Sequence, residues 1–141
     1  MQRKHKLQAL IIAVMVMFVV FTVLFLKTDA DINRSNIEYI NGFGWEVDEK
    51  PVEIVHITMP DASDEVLTAY SEKLGGKFNP TDLEGKRVTR YSYKVLNHIR
   101  SNTGSIRINL IVYNKTVICA DVSSVAENGF IIPIDNTSDA T

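Results

Sequence analysis

A single cysteine, Cys119, stands in 141 residues. It excludes an intramolecular disulfide and any multi-cysteine metal site. Histidine is nearly as scarce: His5, His56 and His98 are the only three. None has a histidine partner at i+4, so no zinc-ligand spacing is present. Basic charge is not in surplus, with 15 lysines and arginines against 17 aspartates and glutamates. Four of the basic residues, Arg3, Lys4, Lys6 and Lys27, lie in the first 27 positions, and every acidic residue lies after Lys27. The remainder is therefore acidic, which excludes a basic nucleic-acid-binding domain. Ser123-Ser124 lack the Gly-x-Ser-x-Gly context of a nucleophile elbow. There is no internal repeat, no low-complexity linker and no motif that implies a cofactor or a metal.

What is abundant is apolar sequence, and it is concentrated. Hydrophobic residues make up 45% of the chain. The run Leu7 to Leu26 is uncharged over twenty residues, with only Gln8 and Thr22 as polar breaks. As a helix it spans about 30 Å, the thickness of a bilayer's hydrocarbon core. It is apolar all round, unlike a soluble core helix with one polar face. Arg3, Lys4 and Lys6 precede it, and Asp29 and Asp31 follow soon after Lys27. The positive-inside rule then keeps the N-terminus in the cytoplasm. A cleaved signal peptide is the competing reading, but its apolar region is shorter, about 7–15 residues. Thr28-Asp29-Ala30 is also a poor cleavage site. The expected layout is a cytoplasmic stub at 1–6, a single-pass signal anchor in the cytoplasmic membrane at 7–27 and a tether at 28–33. An extracytoplasmic domain at 34–134 and a disordered tail at 135–141 follow.

Beyond the anchor the pattern predicts an α+β domain. Asn33 or Ser35 can cap a helix to about Phe43, with Ile37, Ile40 and Phe43 as its apolar stripe. Val52 to Met59 reads as a strand ended by Pro60. Asp61 or Ser63 can cap a second helix bearing Val66, Tyr70 and Leu74 on one face, stopped by Gly75-Gly76. Arg87 to Leu96 and Ser105 to Tyr113 read as strands, the latter placing Ile106, Ile108, Leu110 and Val112 on one face. Asn114-Lys115 makes a two-residue hairpin loop to a strand from Thr116 to Val122. Asn128-Gly129 is a further turn, and Phe130 to Ile134 is either a last short strand, which Pro133 would confine to a sheet edge, or an apolar segment packed on the domain. The order predicts an antiparallel sheet of about four strands packed against two helices.

Three stretches carry a family resemblance: Tyr39 to Pro60, with the run Phe-Gly-Trp-x-Val-x-x-x-Pro at Phe43 to Pro51; Gly85 to Asn97; and Leu110 to Ser124, followed by Gly129-Phe130. Together they resemble the bacterial family catalogued as domain of unknown function 4830. The resemblance implies an N-terminal anchor or signal and a small exported domain, and it implies no activity, substrate or ligand. The family pattern has Asn-Gly in the hairpin and Gly-Gly-Asp after it, where this chain has Asn114-Lys115 and Cys119-Ala120-Asp121.

Few residues invite chemistry. With a two-residue loop, Tyr113 pairs with Thr116, and regular pairing places Asp121 opposite Ile108 on the apolar face. A carboxylate buried there needs hydrogen bonds. It serves either as a structural acceptor with a lowered pKa or as a functional acid with a raised one. Trp45 can close the core or anchor a ligand. Arg90, Lys94 and Arg107 are expected neighbours on the outward sheet face, where they can meet anionic wall polymer or lipid headgroups or serve as a solvated strand face. Cys119 reads as a core residue. The Asn-x-Ser/Thr sites at Asn33, Asn114 and Asn136 matter only in a eukaryotic secretory pathway. The expected function is a non-enzymatic, membrane-anchored module that touches lipid through residues 7–27 and binds an envelope protein or wall polymer. The alternative is a small exported hydrolase using Asp121 and His56.

Overall fold

A computed structural model describes residues 2–126 and 129–137. The chain forms two compact units that meet in sequence between Arg34 and Ser35. Helix α1, Gln2–Asn41, is continuous. No glycine or proline occurs before Gly42, so nothing in the backbone interrupts it. Arg34 also pairs with Asp31, one turn earlier, at 3.1 Å. The expected tether at 28–33 is therefore helical, and the separate helix expected from Asn33 or Ser35 is the last part of α1. The large apolar side chains from Leu10 to Leu24 are more than half exposed, and α1 is long and apolar enough to cross a membrane. It stops where Gly44, at φ +83°, turns the chain left-handed and donates to Asn41 O at 2.9 Å.

The second unit is α+β. Strands β1 (Glu53–Thr58), β2 (Arg87–Lys94), β3 (Ile106–Tyr113), β4 (Thr116–Ser124) and β5 (Ile131–Pro133) pair in chain order as a five-stranded antiparallel meander. The fold class is as expected, with β5 making a fifth strand at the edge. Helix α2, Glu65–Lys73, crosses from β1 to β2. Its N-cap is Asp64, not Asp61 or Ser63: the Asp64 carboxylate accepts from Leu67 N at 2.9 Å. Asp61 instead binds Ser63 through that residue's N–H and hydroxyl. Starting the helix at Glu65 turns Leu67, Ser71 and Leu74 inward and leaves Val66 79% exposed, so Val66 is not on the buried face. After β5 the chain turns, with Asn136 N–H donating to Pro133 O and Asp135 paired with Lys77. Of the expected tail, 138–141 lies outside the described residues, as does Asn128 of the expected turn.

The sheet buries both faces. On the first, Ile40 from α1, Trp45 and Ile134 pack with Tyr93, Ile106, Ile108 and Leu110. On the second, Leu67 and Leu74 of α2 pack with Met59, Phe78, Leu83, Val88, Ile111 and Cys119. The β3–β4 hairpin decides which residues of β4 go where. Its two-residue loop is as expected, with Asn114 and Lys115 both at positive φ, 48° and 65°. Tyr113 faces Thr116 and Val112 faces Val117, but Ile111 faces Cys119. Ile118 is thus the extra residue of a β-bulge, and every residue beyond it changes face relative to regular pairing.

Candidate functional site

Antiparallel pairing sets the side chains of the second face in rows across the strands. One row runs Arg90, Ile111, Cys119. The next runs Glu53, Ser92, Asn109, Asp121, all polar, and ends on Pro133 of the edge strand. The third runs Lys94, Arg107, Ser123, Ile131. Helix α2 covers the apolar end of this face, and where the rows turn polar the face opens into a groove of about 760 Å³. That volume falls within the usual range of small-ligand sites. Ser92, Asn109, Asp121 and Ser123 form its floor. Val66, Leu67, Met59 and Ile111 line it on the apolar side, joined by Val125 and Ile131, and both Arg90 and Arg107 border it.

The floor is one hydrogen-bonded network. Tyr70 of α2 donates its hydroxyl to Asp121 Oδ2 at 2.6 Å. Asn109 Nδ2 donates to Asp121 Oδ1 at 2.8 Å and to Ser123 Oγ at 2.9 Å, while Ser92 Oγ donates to Asn109 Oδ1 at 2.7 Å. Asp121 is 3% exposed. Loss of hydration pushes its pKa up, and the bonds from Tyr70, Asn109 and Ser123 and the charge of Arg90 pull it back only in part. Burial and the facing carboxylate raise the Tyr70 phenol as well. Cys119 behind the floor is pushed up to about 12 by burial, so its thiol is not a nucleophile at neutral pH.

The bulge corrects the expected place of Asp121. It lies opposite Asn109 on the second face, not opposite Ile108 on the first, and its pKa is raised, not lowered. Trp45 is fully buried in the first-face core and donates its indole N–H to Ile134 O at 2.7 Å, so it offers no surface to a ligand. His98 stacks between Trp45 and Phe130, and its Nδ1 accepts from Arg100 N. His56 pairs with Thr89, whose other partner is Val112 of the first face, so His56 and Asp121 lie on opposite faces. A shared hydrolytic centre is not assembled from them. Arg90, Lys94 and Arg107 do share the second face, as expected. Arg90 is paired with Glu53 at 2.6 Å. Arg107 NH1 donates to Gly104 O at 2.6 Å and to Ile106 O at 3.4 Å.

Tyr70, Ser92, Asn109 and Ser123 were not singled out by the sequence. Ser92 and Asn109 share the strand parity of Arg90, Lys94 and Arg107, and that shared polar parity was a usable signal. Tyr70 and Ser123 had none, since the first depends on helix placement and the second on the bulge. Among the described residues no cluster of three or more metal-ligating side chains occurs. Comparison with family models, curated proteins and solved structures finds no match to this chain.

Proposed function

We propose that this protein is a single-pass membrane-anchored module with its N-terminus in the cytoplasm. Its second unit acts outside the membrane by binding an envelope component, a protein or a wall polymer, in the second-face groove. The groove carries the reading. A sheet face that is apolar under α2 becomes, two rows on, a continuous polar stripe beneath an open cleft of about 760 Å³. Buried polar groups are costly unless they are satisfied, and a stripe so fully cross-bonded is a floor held rigid for contact. The anchor reading is supported by the apolar length of α1 and by Arg3, Lys4 and Lys6 ahead of it. The resemblance to domain of unknown function 4830 agrees with an anchored, exported domain.

The test is site-specific photocrosslinking in intact cells. A photoreactive residue at Val66 or Val125, both exposed on the groove rim, should give an adduct. Filling the groove with Ser123→Trp should abolish it, and Ile54, exposed on the other face, should give none. Equal adducts from Ile54 and the rim, or rim adducts that persist with the groove filled, would overturn the reading.

A further inference from the structure

The third row ends in two cations set directly opposite each other, Arg107, which lines the groove, and Lys94 beside it. Like charges in that position repel and cost stability. Elsewhere on this face the chain neutralises its charge, as Glu53 does for Arg90. Among the described residues no carboxylate pairs with Lys94 or Arg107. Both come to Gly104: Arg107 NH1 is fixed on its carbonyl, and Lys94 Cε passes 3.8 Å from where a Cβ on Gly104 would stand. One guanidinium nitrogen is thus spent on positioning, and the charge is left for something else. A half-buried cation pair beside a groove, with one member fixed by the fold, is complementary to an anion.

The rest of the groove says what the anion is attached to. Two residues along a strand advance about 7 Å, so the hydroxyl and amide row of Ser92 and Asn109 lies about 7 Å from the cations and the apolar row of Ile111 about 13 Å. A ligand filling this length meets cations, then hydrogen-bonding groups, then an apolar wall. The donors of the middle row are spent within the floor, but Ser92 Oγ and Asn109 Oδ1 keep acceptor lone pairs, which a lipid tail would cover without offering a donor. A peptide carries N–H donors for those acceptors, and about 13 Å is the length of four extended residues.

Resting on the binding-module reading, we propose that the groove takes the free carboxyl terminus of a peptide. Its carboxylate lies on Arg107 and Lys94, its last amides lie over Ser92 and Asn109, and an apolar side chain sits against Ile111 and Leu67.

The full chain, in nanodiscs of uncharged phosphatidylcholine and labelled with ¹⁵N at arginine, is titrated with a library of acetylated tetrapeptides ending in a free carboxylate. Members with a large apolar residue should shift the Arg107 Nε–H signal. The carboxamide twin of the best member should bind about tenfold more weakly or worse. Lys94→Gln, which removes no side-chain hydrogen bond among the described residues, and Arg107→Gln should each weaken the acid peptide by a similar factor. Lys115→Gln, the same charge change at the hairpin tip, should not. If the carboxamide binds as well as the acid, carboxylate recognition is wrong while the groove remains a binding site. If dodecanoate shifts Arg107 and no peptide does, the ligand is a lipid and the proposal is overturned. If neither shifts any arginine signal the proposal also fails, and rim crosslinking independently decides whether the groove binds anything.

Discussion

At Asp121 burial and hydrogen bonding pull in opposite directions. Two strong donors face the carboxylate, which by themselves would hold its pKa down, yet loss of water wins and its pKa is raised. The sign for stability follows. A carboxyl group that binds its proton more tightly when folded contributes stability that is fully present below the ordinary value of 3.8 and is lost as pH rises through the higher folded value. Stability should therefore fall from about pH 4 upward on account of this group, and Asp121→Asn should flatten that fall. At pH 7 the variant should lie within about 1 kcal/mol of the parent, or above it. Tyr70→Phe leaves the buried carboxylate short of a donor and should cost about 1.5–3 kcal/mol at pH 7. In the Asp121→Asn background much of that cost should vanish, a coupling that a double-mutant cycle reads directly. Trp45, the only tryptophan, is a buried fluorescence reporter for these urea titrations on the full chain in micelles. Removing it by Trp45→Ala should itself cost about 3–5 kcal/mol, followed by circular dichroism. The burial of Asp121 was expected from regular pairing with Ile108, and the structure buries it on the opposite face instead, under α2 and beside Asn109. Its partner Tyr70 was not legible in the sequence, because a contact across 51 residues leaves no local trace.

At the level of elements, strands were easier to read than helix ends. Alternation located β1 to β4 to within about two residues, and Pro133 marked β5 as an edge strand. Register was harder. The bulge at Ile118 has no sequence signal, since an isoleucine fits a paired strand position as well as an unpaired one. One unread residue moved Asp121 from one face to the other, and with it the whole candidate site. The extent of α1 was missed for a different reason. Asp29, Asp31 and Asn33 look like a linker by polarity, but in a stretch without glycine or proline an established helix continues through them. The hairpin loop gives the sharpest element-level test. Lys115 occupies left-handed backbone at φ 65° without being glycine, where a side chain costs about 1 kcal/mol. Lys115→Gly should raise stability by about 0.5–1 kcal/mol and leave the groove intact. A loss of stability would mean that Lys115 makes a compensating contact.

For the molecule as a whole, the uneven distribution of charge is the strongest constraint on where each part works. An uncharged helix of twenty residues lies comfortably in hydrocarbon, whereas a second unit carrying 15 of the 17 acidic residues does not. Three cations stand just before the span, and Lys27 after it is followed by Asp29 and Asp31. The positive-inside rule counts lysines and arginines near the span's ends, and three before it against Lys27 and Arg34 after it favours keeping the N-terminus inside. Protease added to intact protoplasts should then digest 35–141 and spare the span, and an alkaline phosphatase fused after Thr141 should be active. The same argument predicts how to disturb the orientation. Changing Arg3, Lys4 and Lys6 together to glutamate leaves Lys27 and Arg34, both on the far side, as the nearby cations, so a substantial fraction of chains should insert inverted, with the C-terminal unit protected and the fused phosphatase inactive. Full protection of the unchanged chain would overturn the orientation and with it an extracytoplasmic ligand. Unaltered digestion of the triple variant would show that the orientation is set by something other than the cations, with folding of the acidic unit on the far side the first mechanism to test.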